Sequence, residues 1–155
     1  SKRGKGSTFS IYLPASRRKA MREKTGSDTL VPGKETVLLV DDEDMILDVG
    51  TQILEKMGHK VLKAKSGQEA TELYQKHKDF IDLVILDMIM PGVSGGETYD
   101  RIKAIDSEVK VLLSSGYSVD GQATEILKRG CNGFIQKPFK MKDLSHKIQE
   151  VLGKG

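Results

Sequence analysis

Residues 83–92 read LVILDMIMPG, four apolar residues followed by an acid and, soon after it, a proline–glycine turn. An apolar run this short, bounded by a turn signal, favours a strand over a helix, so we predict a strand at Leu83–Leu86. Strands of continuous apolar character are typical of parallel sheets that helices cover on both faces. Asp87 then stands at the carboxyl end of a buried strand.

Four further segments are predicted strands, and helical patterns lie between them. These strands are Thr36–Val40, Lys60–Ala64, Val109–Leu113 and Gly133–Gln136. Such alternation favours one parallel sheet with helices on both faces, and the right-handed rule for crossovers leaves few topologies. We therefore predict an α/β fold with a doubly wound five-stranded parallel sheet, order 2-1-3-4-5, and five helices, a flavodoxin-like arrangement.

Apolar periodicity and capping signals predict the helices. The apolar stripe of the first helix consists of Ile46, Val49, Ile53 and Met57. Gly58 ends that helix, and capping boxes at residues 66–69 and 94–97 open the second and third. The fourth helix is predicted over residues 119–129. The stripe of the fifth consists of Met141, Leu144, Ile148 and Val151.

Polar residues stand at the ends of four of the five predicted strands. They are Asp41 and Asp42, Asp87, Ser115 and Lys137. In a doubly wound sheet these ends share the edge where ligands bind. Three close carboxylates repel one another and need a cation, and oxygen-only ligands select a hard ion, Mg²⁺ or Mn²⁺. A lysine and a hydroxyl nearby suit a phosphoryl group, which a carboxylate can receive as a nucleophile.

Taken singly, each of these residues is explained as well by a capping, turn or surface role. Their joint placement indicates a site, and here the sequence resembles the receiver domain of bacterial response regulators. Four motifs in order carry the resemblance: Leu38–Glu43, Asp87–Gly92, Ser115–Tyr117 and Lys137–Phe139. The resemblance implies a receiver domain over residues 34–155.

The resemblance also implies a role for each site residue. Asp87 is the expected phosphoacceptor, and Ser115 and Lys137 are expected to contact the phosphoryl group. The expected metal ligands, for Mg²⁺ or alternatively Mn²⁺, are Asp41, Asp42, Asp87 and the backbone carbonyl of Ile89. Ser115 and Phe134 are the expected switch pair, in which the ring rotates after the serine moves. The Lys137–Pro138 bond is expected to be cis.

The implied function is a signalling relay that takes its phosphoryl group from a phosphohistidine. Such a domain assists its own phosphorylation and dephosphorylation without being a kinase. The implied partners are a histidine-kinase core, in the same or another chain, and a histidine phosphotransfer protein. Three alternatives stay open: an aspartate-nucleophile phosphatase, a flavin or nucleotide carrier, and a degenerate receiver that only docks. Ile89 occupies the place where such a phosphatase needs a second acid, and the first loop is Asp-rich rather than Gly-rich.

The first 33 residues differ in composition from the rest of the chain. They hold eight Lys/Arg and two Asp/Glu, a charge of +6, against −3 for residues 34–155. Gly4–Phe9 and Ile11–Pro14 resemble the last glycine box and final strand of a histidine-kinase ATP-binding domain. We therefore expect residues 1–14 to be a remnant of that domain and residues 15–33 to be a linker, as in a hybrid sensor kinase.

Several other classes of function are not supported. The single cysteine, Cys131, excludes an internal disulfide and suits a reduced, cytoplasmic compartment. The histidines His59, His77 and His146 lack metal-ligand spacing and are expected at the surface. No apolar run approaches the roughly 20 residues of a membrane span. The basic segment has no recognition motif beside it, so neither a nucleic-acid partner nor membrane contact is expected.

Overall fold

Strands and helices alternate in the computed structural model, which describes residues 33–116 and 121–153. The strands are β1 (Thr36–Val40), β2 (Lys60–Ala64), β3 (Leu83–Asp87), β4 (Val111–Ser115) and β5 (Gly133–Gln136). The helices are α1 (Asp44–Lys56), α2 (Gly67–His77), α3 (Gly95–Ile105), α4 (Gly121–Lys128) and α5 (Met141–Leu152), with a 3-10 turn at Lys78–Phe80. The expected ATP-domain remnant, and all of the expected linker except Gly33, lie outside the described residues.

The strands form one parallel sheet in the order β2-β1-β3-β4-β5, which confirms the predicted fold. β3 lies at the centre, and all five of its residues are buried. In its register Leu86 is opposite Val40 of β1, and Asp87 is opposite Ser114 of β4. The carboxyl ends of the three middle strands therefore lie side by side.

Two cores cover the two faces of the sheet. One contains Tyr74, Tyr99 and Ile102 from α2 and α3, together with Ala123 and Ile126 from α4. The other contains Leu47 and Leu54 from α1 and Leu144, Ile148 and Val151 from α5. Strand residues alternate between them, so that Leu38, Leu86 and Leu113 join the first core and Leu39, Ile85 and Leu112 the second. Each fully buried Leu or Ile contributes about 1.5–3 kcal/mol, so a one-residue slip of register would be costly.

The predicted helix boundaries follow from local chemistry. The hydroxyl oxygens of Ser66 and Ser94 accept hydrogen bonds from the backbone N–H groups three residues later, at 3.2 Å in each case. Both capping boxes therefore open helices as predicted. α1 ends beside Gly58, whose φ of 95° suits glycine. None of the described helices has the length and apolar character that a bilayer crossing requires.

β4 begins two residues later than the prediction of 109–113. Val109 is buried, but it belongs to the turn after α3, where its N–H donates to the carbonyl of Asp106 at 3.3 Å. The ladder with β3 starts at Val111. The strand thus contains both serines, residues 114 and 115, instead of ending before them.

The buried face of α1 is rotated by about one residue from the predicted stripe. The buried residues of the helix are Leu47, Gly50 and Leu54, and Met57 of the predicted stripe is buried, as expected, just after the helix ends. Val49 is instead 51% exposed, and Ile46 and Ile53 are half-buried. Gly50 allows a close approach to β1, since a Cβ there would lie 2.8 Å from a methyl carbon of Leu39. The helix has two neighbouring apolar arcs, and the arc with the glycine packs inward.

His59 is buried, so the expectation of a surface position was wrong. Its imidazole occupies the space that a Cβ on Gly33 would need. Its Nδ1 lies 3.2 Å from a carboxylate oxygen of Glu35. From the turn between α1 and β2, His59 therefore contacts Gly33 and Glu35 at the beginning of the described chain. His146 is exposed, as expected, and His77 is half-buried.

Candidate functional site

Four strands deliver the candidate site residues to one edge of the sheet. Asp41 and Asp42 follow β1, Asp87 ends β3, Ser115 ends β4, and Lys137 follows β5. The N–H of Lys137 donates to the carbonyl of Ser115 at 2.7 Å, which ties the turn after β5 to the end of β4. The Lys137–Pro138 bond is cis, as the resemblance implied.

Three carboxylates meet at this edge. One oxygen each from Asp41, Asp42 and Asp87 lies within 4.8 Å of the other two. Asp41 and Asp87 are buried, with 1% and 5% of their surface exposed, whereas Asp42 faces solvent. The backbone N–H of Glu43 donates to Asp41 Oδ1 at 3.1 Å and thereby orients that carboxylate. The cluster is therefore anchored on its protein side and open on the side of Asp42.

Lys137 joins two of these carboxylates. Its Nζ lies 2.5 Å from Asp41 Oδ2 and 2.9 Å from Asp87 Oδ1. The lysine side chain is only 14% exposed. One ammonium therefore balances two buried acids, and Asp42 adds a further negative charge at the rim.

Burial and charge change the titration of both partners. Burial raises the pKa of Asp87, Lys137 opposes that effect, and the nearby charge of Asp41 raises the pKa further. Burial alone would lower the pKa of Lys137, but its hydrogen bonds to Asp41 and Asp87 and their charges raise it above its usual value. The lysine therefore stays protonated and acts as a fixed positive charge.

The remaining predicted residues surround this cluster. Ser115 is buried, and strand alternation places it on the same face of the sheet as Leu113. Phe134 lies opposite Leu113 in β5, is half-buried, and packs against the same core as Leu113. Ser115 and Phe134 thus share one face on adjacent strands. Ile89 is 54% exposed, two residues beyond Asp87.

The donor set suits a hard divalent cation. Carboxylate oxygens are the ligands that Mg²⁺ and Mn²⁺ prefer, and Mg²⁺ commonly takes only one or two carboxylates besides water. The openness at Asp42 leaves room for such water ligands. The acidic cluster is therefore suited to hold a metal ion next to a nucleophilic carboxylate and a fixed ammonium.

Sequence reasoning missed two features beside the site. One is the N–H of Glu43, because a backbone donor leaves no signal in the sequence. The other is a pair of exposed apolar side chains one turn apart on α1, Met45 and Val49, at 76% and 51% exposure, which we call the α1 apolar surface. A groove lined by Ile46, Val49, Gly50, Ile53, Lys137, Pro138 and Phe139 adjoins it. The signal was present, since the apolar residues of α1 form an arc wider than one buried face needs.

Comparison with known proteins gives a consistent result. The model of the response regulator receiver domain matches residues 37–149. The chain is 33% identical to the sensor kinase CckA of Brucella abortus, over 97% of this chain and 17% of that protein. The chain thus spans less than a fifth of that relative's length.

Solved structures share the fold. A response regulator receiver domain protein from Clostridium thermocellum has a TM-score of 0.74 and 32% identity, over 77% of this chain and 95% of that one. The CheX–CheY–BeF₃–Mg²⁺ complex from Borrelia burgdorferi has a TM-score of 0.72 and 29% identity, over 76% of this chain and 88% of that chain. The family match, the sheet order and these relatives together show that the chain belongs to the response regulator receiver domains, phosphoacceptor modules that relay signals.

Proposed function

We propose that Asp87 accepts the phosphoryl group, from a phosphohistidine and in a reaction that depends on Mg²⁺. A carboxylate oxygen of Asp87 attacks phosphorus, the bond between phosphorus and the imidazole nitrogen breaks, and an acyl phosphate forms. The observation that carries the proposal is the bridge of Lys137 to Asp41 and Asp87 inside a cluster of three carboxylates. No other group of three His, Cys, Asp or Glu with this spacing occurs among the described residues.

The neighbouring side chains have complementary roles in this proposal. The ammonium of Lys137 offsets the charge of the phosphoryl oxygens, and the hydroxyl of Ser115 donates a hydrogen bond to one of them. Asp41, Asp42, Asp87 and the carbonyl of Ile89 would hold Mg²⁺. When bound, the ion would neutralise charge that builds up on the transferring group.

Treatment with acetyl phosphate tests the acceptor and the metal together. Intact-mass spectrometry should show the gain of one phosphate with Mg²⁺ and none with EDTA. An Asp87→Asn variant should gain none, and Asp82→Asn, which changes an exposed acid just before β3, is the matched control. Labelling of Asp87→Asn would contradict the assignment. No labelling of the wild type would favour a domain that only docks.

A donor protein fits the α1 apolar surface. Val49 of this surface lines the same groove as Lys137, which contacts Asp87 at 2.9 Å. We assign it to a phosphohistidine-bearing partner, either a histidine-kinase core or a phosphotransfer protein. Such a partner would cover the acidic site and exclude water during transfer.

The chain also fits a segment of a hybrid sensor kinase. The similarity to CckA extends over 97% of this chain, which supports a kinase-like segment at residues 1–14 and a linker at residues 15–33. The receiver then occupies residues 34–155. Labelling the parent protein with ATP, with and without Asp87→Asn, tests this arrangement. Transfer from the kinase histidine to this receiver should disappear in the variant.

The signal would leave through the face that carries Phe134 and α4. Ser115 and Phe134 share that face, so movement of the serine toward a phosphoryl group would open space for the ring. A Phe134→Leu variant should be phosphorylated at the same rate but should fail to change the amide exchange of α4. Loss of phosphorylation instead would contradict the switch role.

A further inference from the structure

The first turn of α3 packs directly against the backbone of Asp87, the candidate phosphoacceptor, and of Met88. A Cβ at Gly95 would lie 2.4 Å from the carbonyl oxygen of Asp87 and 2.6 Å from the Cα of Met88. Both atoms belong to backbone, which cannot rotate away as a flexible side chain can. Gly95 is buried, and its N–H donates to the carbonyl of Met88 at 3.2 Å. The helix start and the strand end are therefore in direct backbone contact.

The backbone conformation of Gly95 does not itself require glycine. The described glycines with positive φ are Gly58, Gly92, Gly130 and Gly153. An alanine at position 95 would thus be tolerated conformationally, and alanine is the better helix former. The need for glycine arises from the contact alone.

The geometry points to Gly95 as a positioning residue for Asp87, an inference that rests on the proposed phosphoacceptor function. Carbon atoms in contact are about 3.5–4.0 Å apart, so a methyl group at position 95 would force a separation of roughly 1 Å. If β3 moves, the carboxylate of Asp87 leaves its place beside Asp41 and Lys137. If α3 moves, it pulls the loop of residues 88–94, which carries the carbonyl of Ile89.

Either movement damages the proposed metal site. Mg²⁺ demands near-ideal octahedral geometry at about 2.0–2.1 Å from its ligands. A misplacement of about 1 Å near reacting groups can cost on the order of 100-fold in rate. The absence of a side chain at position 95 thus allows Asp87 to align with the other proposed metal ligands.

The test compares two adjacent glycines. Gly95→Ala should weaken Mg²⁺ binding, measured by calorimetry, and slow labelling by acetyl phosphate, each by about tenfold or more. Gly96→Ala is the matched control, because a Cβ there would lie 3.4 Å from Ile126 Cδ1 and 3.6 Å from Arg129 Nη2, both ends of flexible side chains. It should bind Mg²⁺ and take up phosphate as the wild type does.

Two further measurements distinguish a misaligned metal site from a general loss of stability. Ile102→Val and Ile102→Ala lower stability through a cavity on the same helix, two turns after Gly95, and should keep the wild-type affinity for Mg²⁺ while folded. Trimethylamine N-oxide favours the folded state of Gly95→Ala without supplying metal ligands, so it should restore folding but not Mg²⁺ affinity.

Two outcomes overturn the inference alone: Gly95→Ala equals Gly96→Ala in both readouts, or the osmolyte restores Mg²⁺ affinity together with folding. An unlabelled wild type would overturn the proposed function, and this inference with it.

Discussion

Replacing Lys137 by methionine leaves two buried carboxylates without their shared cation. Asp41 and Asp87 have side chains that are 2% and 7% exposed, and each is in contact with the lysine Nζ. Methionine has nearly the same length and volume, so the change removes charge and hydrogen bonds more than packing. We expect the variant to be markedly less stable at pH 7 when no divalent ion is present.

The distances set the size of the effect. At 2.5 and 2.9 Å, and an effective dielectric constant of about 20, each pair attracts by roughly 6 kcal/mol. Desolvation of the three charges offsets most of this attraction. Removal of one member of a buried pair costs about 3–5 kcal/mol, because a charge stays buried without compensation. We expect a loss of about 3 kcal/mol in the free energy of unfolding.

Urea unfolding in EDTA, followed by circular dichroism, measures this loss. With an m-value of about 1.5 kcal/mol/M, the midpoint should fall by about 2 M while m stays constant. Lys128→Met, on the exposed side of α4, is the matched control and should leave the midpoint within a few tenths of a molar. A loss below about 0.5 kcal/mol for Lys137→Met would refute the reasoning. It would mean that the ammonium does not hold the two carboxylates together.

Three further variants test other parts of the molecule. Asp42→Asn should raise the free energy of unfolding in EDTA by about 1 kcal/mol, since it removes repulsion, and weaken Mg²⁺ binding in calorimetry. Val49→Asp should slow transfer from a phosphohistidine donor about fivefold or more and leave labelling by acetyl phosphate unchanged. If Val49→Asp slowed both reactions equally, the substitution would not act through docking of the donor. Tyr74→Phe should cost about 1 kcal/mol at pH 7, because the hydroxyl donates to Asp106 at 2.8 Å. Hydrogen bonds from the N–H of Glu108 and from Tyr74 lower the pKa of Asp106, so its contribution is complete above its unfolded pKa and disappears as the pH falls through the folded one. The difference in the free energy of unfolding between wild type and Tyr74→Phe, measured with urea, should therefore become smaller in acid. A difference that does not change with pH would contradict the stabilising role of the hydrogen bond between Tyr74 and Asp106.

The strands and most helix starts were predictable because their signals are local. Leu83–Leu86 is apolar at every position and is followed by a turn, so its identity as a buried strand needs no knowledge of distant residues. The capping serines, Ser66 and Ser94, act on N–H groups three residues away. Once five strands alternate with helices, the topology rule alone brings the polar strand ends to one edge.

The predictions that were wrong concern features that a contact with a distant residue determines. The sequence does not say which of the two apolar arcs of α1 is buried, because the choice depends on how closely Gly50 approaches Leu39 of β1. His59 looks like any surface histidine until Gly33 and Glu35 enclose it. Val109 is apolar and stands two residues before β4, yet it belongs to the turn after α3, where its N–H donates to Asp106, and the ladder with β3 begins only at Val111.

The candidate site combines both kinds of information. Strand ends predict that Asp41, Asp87 and Lys137 are neighbours, because backbone topology determines where their Cα atoms lie. The orientation of the carboxylates depends instead on a lysine 96 residues away from Asp41 and on the contact of Gly95 with the Asp87 backbone. Metal binding and phosphoryl transfer depend on ångström-scale alignment, which is finer than the spacing between strands. Two chains with the same motifs can therefore share this fold and still differ in phosphoacceptor activity, according to how firmly Lys137 and Gly95 hold Asp87 in place.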